Sequence, residues 1–169
     1  MSEMGKISQW RFKLAVHRHH KVVYQMATGL LGDPSEAEDV TQDTFTQYWQ
    51  KGADVEQAKA WLLRVARNNC LDRLRRSARV DYREHDELPM QTDSRDAPWR
   101  LQQDEASSRL HAEIAKLAEP QRSLIILFSL RGMNGQDCAR ILGISTNQVK
   151  VYLHRAKAKL REQLENIDE

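Results

Sequence analysis

Amide and basic side chains follow Ser145 at helical spacing near the C-terminal end of the sequence. Such side chains can hydrogen-bond to base edges in a DNA major groove, and lysine and arginine also bind phosphates. Ser145 and Gln148 are three residues apart and form a capping box, which predicts the start of a helix. The candidates for groove contacts on this helix are Asn147, Gln148, Lys150, His154, Arg155 and Lys157. The alternative is an ordinary solvated basic face on a packed helix.

Arginines are unusually dense between residues 64 and 79. Asn68 and the aromatic Trp61 accompany them, and this mixture suits single-stranded or distorted nucleic acid, where unstacked bases need edge contacts and the backbone needs cations. For Trp61 a core position is favoured, because it shares a helix face with Leu62 and Val65; the alternative for the arginines is a solvated surface. The arginines are Arg64, Arg67, Arg73, Arg75, Arg76 and Arg79.

Catalytic patterns are weak in this sequence. In the tract at residues 17–20, His17 and His20 share a helix face, but no cysteine or carboxylate lies nearby in sequence to complete a metal site. There is no glycine-rich phosphate loop and no GxSxG nucleophile motif. We therefore expect no enzyme, no metal site and no cofactor; partly buried or exposed histidines are the simpler interpretation.

Acidic side chains cluster at the start of a helix that Asp33 should cap and Pro34 should open. Carboxylates suit the positive N-terminal end of a helix dipole. The acidic residues are Glu36, Glu38, Asp39 and Asp43, and the opposite, apolar face carries Ala37, Val40, Thr41, Thr44, Phe45, Tyr48 and Trp49.

The elements that position these clusters are predicted to be helices throughout. The chain has 169 residues, with only 7 Gly and 4 Pro, and its apolar residues recur at three- and four-residue spacings, which predicts an all-α fold. Helices are predicted over 7–31, 34–51 and 56–79. No apolar run approaches the roughly 18 residues of a membrane span, and no signal-peptide pattern is present. We expect a cytoplasmic protein with reduced cysteines.

Two small helical domains, 7–79 and 105–166, are predicted on either side of an acidic, flexible linker at 80–104. A long surface loop is the alternative for the linker. The second domain should contain a short helix capped by Asn134, a tight turn at Gly143 and the capped basic helix that begins after Ser145. That order is typical of a helix-turn-helix motif.

The two domains together resemble the extracytoplasmic-function (ECF) group of bacterial sigma factors, which have only sigma regions 2 and 4. In the first domain the resemblance rests on GDP at 32–34, AEDV at 37–40, QDTF at 42–45, Trp49, AWLLRVARN at 60–68 and DRLRR at 72–76. In the second it rests on PQR at 120–122, LGI at 142–144, VK at 149–150, LHRAK at 153–157 and LR at 160–161.

This resemblance implies a transcription initiation factor that binds core RNA polymerase, directs it to promoters and assists DNA melting. The acidic helix is similar to the segment that docks on the clamp helices of the largest polymerase subunit, with contacts implied at Glu36, Glu38, Asp39, Gln42 and Asp43. Many members of the family are held inactive by an anti-sigma factor, often membrane-linked, and such a partner is expected here as well.

The resemblance also implies which residues contact promoter DNA. The stretch from Trp61 to Arg76 is similar to the part that reads and opens the −10 element, and Asn68 stands where the family helps to hold a flipped-out base. The loop at 52–57 would complete that pocket. The helix from Ser145 looks like the −35 reader, with Lys150, Val151, His154 and Arg155 at the exposed family positions.

Two departures and two alternatives limit these expectations. Val151-Tyr152 and Asp137-Cys138-Ala139 differ from common family residues, so the −35 preference does not carry over. A different regulator that uses the helix-turn-helix would bind duplex DNA without polymerase. A protein-binding adaptor would leave the arginine-rich stretch and the capped basic helix without a role.

Overall fold

The computed structural model describes residues 3–51, 53, 55–84, 105–130 and 133–166. Within those ranges the chain forms helices and no strands, which confirms the all-α prediction. The helices are α1 (Glu3–Leu31), α2 (Pro34–Gln50), α3 (Ala58–Glu84), α4 (Glu105–Ala115), α5 (Gln121–Ser129), α6 (Gly135–Leu142) and α7 (Thr146–Glu165).

The first three helices begin and end largely where the sequence predicts. The Asp33 carboxylate accepts hydrogen bonds from the backbone amides of Ser35 at 2.8 Å and Glu36 at 3.2 Å, so it caps α2 as predicted. Helix α3 continues to Glu84, beyond the predicted end near Arg79. The first residues of the predicted linker are therefore helical, and its remaining residues, 85–104, lie outside the described residues.

Helices α1 to α3 pack around an apolar core, to which each of them contributes one face. Its fully buried side chains include Val23, Met26, Leu30, Val40, Leu62 and Leu63. Three large apolar side chains of this domain lie partly in solvent: Ile7 (51% exposed), Trp10 (64%) and Trp49 (44%), the last of which the sequence predicts on the apolar face of α2. The Trp49 ring contacts Phe12, whose ring centroid is 5.1 Å away.

The second domain contains the predicted helix-turn-helix. Asn134 and Asp137 form a capping box at the start of α6. Gly143 ends that helix with φ of +68°, a left-handed conformation that glycine adopts without steric cost. Ser145 and Gln148 then form the predicted capping box of α7. These local hydrogen bonds fix the angle at which α7 leaves the turn.

The two domains pack against each other, an arrangement that no sequence pattern predicts. Helix α5 contacts α1, and helix α6 contacts α3. Leu124, Ile126 and Leu127 of α5 are buried in the same apolar cluster as the core of the first domain. Leu117, Ala156 and Leu160 form a smaller cluster within the second domain alone.

Both cysteines are free, buried thiols. Burial raises the pKa of Cys70 to about 12, with the nearby cations of Arg73 and Arg122 opposing the shift. Burial also raises the pKa of Cys138 to about 11. Because thiolates are the reactive form of cysteine, both side chains should resist alkylation in the folded protein.

A raised thiol pKa makes stability depend on alkaline pH. The contribution of Cys70 is fully present below its ordinary value of 9.0 and is lost as the pH rises from there towards about 12. We expect the free energy of unfolding, measured with urea, to fall between pH 9 and pH 11, and this thiol contributes at most about 1.4 kcal/mol per pH unit to the fall. Cys70→Ala should show a shallower decline, and identical slopes in the two proteins would contradict the assignment.

Candidate nucleic-acid interface

Helix α7 presents its amide and basic side chains to solvent. Val149, Ala156 and Leu160 are buried on its inner side, which turns the other face outward. The sequence-predicted candidates on the outer face are all exposed: Ser145, Asn147, Gln148, Lys150, Val151, His154, Arg155 and Lys157. Lys157 also lies 4.9 Å over the ring of Phe128, which is 42% exposed.

The arginines at the start of α3 form bonds with the second domain, which lies against this part of the helix. Arg67 donates from Nε to the Ser123 hydroxyl at 2.9 Å, and its Nη2 lies 3.1 Å from a carboxylate oxygen of Glu119. Arg64 donates to the backbone carbonyl oxygen of Arg140. Arg64 and Arg67, both predicted to contact DNA, are therefore bonded to the second domain in this structure.

The remaining candidates on α3 have different surroundings. Asn68, Arg75 and Arg76 are exposed, and Arg75 forms a 2.9 Å ion pair with Asp72 of its own helix. Trp61 is half-buried, with its ring centroid 5.8 Å from that of Tyr48. The core position favoured for this residue therefore holds for part of its side chain.

The acidic face of α2 is open to solvent. Glu38, Asp39, Gln42 and Asp43 are exposed, and Glu36 is half-buried. Arg73 of α3 lies 3.9 Å from Asp39 and 3.5 Å from Asp43. This arginine, predicted as a DNA contact, is therefore also a neighbour of the acidic face.

The loop between α2 and α3 contains two strained residues that no sequence signal marks. Ala53 and Gln57 have φ of 53° and 55°, a left-handed conformation that is costly for side chains with a Cβ. Ala53 is held by its own amide, which donates to the Tyr48 carbonyl, and by the Tyr48 hydroxyl, which donates to its carbonyl. Residues 52 and 54 of this predicted pocket lie outside the described residues.

The histidines at 17–20 have different surroundings. His20 stacks on Tyr24 and Phe45. The pKa of His19 is lowered by burial and by the cations of Lys59 and Arg18. In the described part of the chain, no group of three His, Cys, Asp or Glu side chains could hold a metal ion.

Comparison with known proteins decides which family has this arrangement. Residues 15–80 match the family model for sigma-70 region 2, and residues 107–160 match that for sigma-70 region 4. The ECF RNA polymerase sigma factor SigL of Mycobacterium tuberculosis is 34% identical over an alignment of 158 residues that covers 88% of this chain and 86% of SigL. The chain belongs to the ECF sigma factors. It is a transcription initiation factor of the class that binds core RNA polymerase and recognises promoters.

Three further proteins align over most of this chain. The RNA polymerase sigma factor NccH of Alcaligenes xylosoxydans is 31% identical over 94% of this chain and 89% of its own. The solved sigma factor RpoE of Bartonella quintana, in complex with the anti-sigma factor NepR, is 27% identical with a TM-score of 0.68, covering 91% of this chain and 96% of RpoE. CnrH, solved with the cytosolic domain of CnrY, is 27% identical with a TM-score of 0.66, covering 96% and 95%.

The helices of this sigma factor are too short or too polar to span a bilayer wherever the structure describes them.

Proposed function

We propose that three surfaces divide the work of initiation in this sigma factor. The acidic face of α2 (Glu36, Glu38, Asp39, Gln42 and Asp43) docks on the clamp helices of core RNA polymerase. The α3 surface (Trp61, Arg64, Arg67, Asn68, Arg73, Arg75 and Arg76) binds and helps to melt the −10 element. The outer face of α7, from Ser145 to Lys157, reads the −35 element.

The observation that carries this proposal is the outer face of α7. A capped helix exposes a series of amide and basic groups, with Val151 among them, while Val149, Ala156 and Leu160 pack inward. That geometry lets the N-terminal turns reach base edges in a major groove and the later turns reach phosphates. The domain boundaries proposed are 7–79 and 105–166, joined by an acidic linker. No covalent chemistry is assigned to the chain, and its proposed polymerase partner works in the cytoplasm.

An anti-sigma factor is the proposed regulatory partner. RpoE, one of the solved relatives, is in complex with the anti-sigma factor NepR, and CnrH, another, is in complex with the cytosolic domain of CnrY. In this chain a groove of about 910 Å³ is lined by α1, α4 and α5 and by the first turn of α3, with Arg18, Lys21 and Lys59 among its lining residues and with apolar residues beside them. This lining suits an acidic amphipathic helix. Charge reversal at Lys21 and Lys59 should weaken inhibition by such a partner and leave promoter-directed transcription unchanged.

Run-off transcription with core RNA polymerase and a library of upstream DNA tests the function itself. Start sites that appear only when the protein is added support the proposal and supply the promoter sequence. Binding to duplex DNA with no polymerase-dependent initiation would instead favour a regulator that uses the helix-turn-helix alone. Binding to neither would favour the adaptor alternative.

Arg155→Ala should weaken promoter binding by the holoenzyme. Loss of one base or phosphate contact costs about 1–3 kcal/mol, and loss of a phosphate contact also lowers the salt slope by about one. Arg109→Ala is the matched control, because Arg109 is half-exposed on α4 and pairs with Glu105 of that helix, away from the α7 face. Equal affinity and equal salt slope in Arg155→Ala and the wild type would remove Arg155 from the −35 surface.

A further inference from the structure

The contact between the domains includes two helix ends that are capped reciprocally. The last carbonyls of a helix carry partial negative charge and need donors. Helix α1 has no basic residue in its last turn, and Arg122 of the second domain donates to its Leu30 carbonyl. In return, Arg64 of the first domain donates to the Arg140 carbonyl near the end of α6. Each domain thus supplies one arginine that donates to a backbone carbonyl near a helix end of the other domain.

A third polar contact fixes Arg67. Its side chain is only 15% exposed, and the Ser123 hydroxyl that accepts from it donates in turn to Glu119 at 2.6 Å. Glu119 and Ser123 therefore hold the Arg67 guanidinium in a connected network, which is stronger than an isolated surface pair. Both residues belong to the second domain.

The apolar part of the contact is closest at Gly29 of α1. A Cβ placed on Gly29 would lie 2.9 Å from Cγ2 of Ile126, a distance that real Cβ atoms do not tolerate. Ile126 is 6% exposed and packs in the apolar cluster that joins the domains, so a methyl group at residue 29 has to displace it. Helices α1 and α5 can approach this closely only because residue 29 has no side chain.

We propose that this contact is a self-masking device. In the sigma factor without polymerase, the second domain binds Arg64 and Arg67 and keeps the start of the −10 surface from DNA, while the outer face of α7 stays open. The domains must separate before the −10 element can be bound. This inference rests on the proposed assignment of α3 to the −10 element.

Gly29→Ala is a wedge that tests the device without weakening the helix. Alanine is the better helix former, so the variant should fold, and the new methyl group clashes only with the other domain. Gly5→Ala is the matched control, because position 5 is in the same helix and a Cβ there meets nothing within 4 Å.

Glu119→Arg tests the device by charge rather than by shape. It places a cation beside Arg67 and removes the carboxylate that holds it. Glu105→Arg is its control, because it makes the same charge change at a residue paired within α4 to Arg109. Any gain in DNA affinity caused by added charge alone would then appear in both proteins.

Phenylglyoxal, which modifies arginine, reports the closed state by peptide mass spectrometry. In the wild type Arg67 should react more slowly than Arg75, whose side chain is 66% exposed. Both test variants should raise the Arg67 rate about fivefold, the population change that follows the loss of one such contact, and the controls should not. Equal rates for Arg67 and Arg75 in the wild type would overturn the proposal.

Binding of a labelled, random-sequence single-stranded oligonucleotide reports the masking. Both test variants should bind it about fivefold more tightly than the wild type and their controls. If Arg67 is released in the variants but the affinity does not rise, the masking of a DNA surface is wrong, although the closed arrangement is right. Run-off transcription judges the sigma function separately, so the two failures can be distinguished.

Discussion

Asp39→Arg is expected to weaken binding of core RNA polymerase about 100-fold. Like charges brought together across an interface cost several kcal/mol, and each 1.4 kcal/mol is a factor of ten in affinity. The Asp39 carboxylate is 63% exposed, so its replacement should leave the fold intact. The replacement also removes the 3.9 Å ion pair with Arg73. Titration of labelled sigma factor with core enzyme measures the loss, and thermal unfolding checks the fold.

Two further variants separate docking from the loss of the ion pair with Arg73. Arg73→Gln removes the pairs with Asp39 and Asp43 without adding a cation to α2, and it should bind polymerase with nearly wild-type affinity, since exposed pairs contribute less than about 1 kcal/mol. Glu105→Arg makes the same charge change in α4 and should also bind normally. Polymerase binding that is as tight in Asp39→Arg as in the wild type would remove the acidic face from the docking surface.

The parts of the fold that the sequence predicts well depend on neighbours within a few residues. Asp33, Asn134 and Ser145 cap their helices because each side chain reaches an amide two or three positions ahead. Gly143 ends α6 for an equally local reason, its left-handed backbone. Residues on one face of α7 are likewise placed by the helical period alone. Both the helix-turn-helix and the outward series of candidate DNA contacts follow from these short-range rules.

The parts that the sequence does not predict depend on residues far apart in the chain. Arg67 and Glu119 are 52 positions apart, and Arg73 and Asp43 are 30 apart, so no spacing rule joins them. The exposure of Trp10, Trp49 and Phe128 is not predicted for a related reason. Which apolar side chains of a helix are covered depends on the neighbouring helices, and these are distant in the sequence. The sequence therefore predicts the exposed face of α7, but it does not predict that Arg67 of α3 is covered by Ser123 and Glu119 of the second domain.

Leu62→Ala is expected to lower the free energy of unfolding by about 3 kcal/mol, within the range for leucine truncation in a packed core. Leu62 is fully buried, one residue after Trp61 on α3. For a chain of this length that loss corresponds to a fall in melting temperature of roughly 6–12 °C. Urea and thermal unfolding of the purified protein measure both quantities.

The matched control is Leu110→Ala, which removes the same atoms from a residue that is 39% exposed on α4. It should cost about 1 kcal/mol, less than the truncation of Leu62, because more than a third of the residue already faces water and no closed cavity is left. Below its melting temperature Leu62→Ala should still direct run-off transcription, since the exposed face of α3 keeps all its side chains. Equal unfolding midpoints for the two variants would show that Leu62 does not anchor the helix that presents the −10 surface.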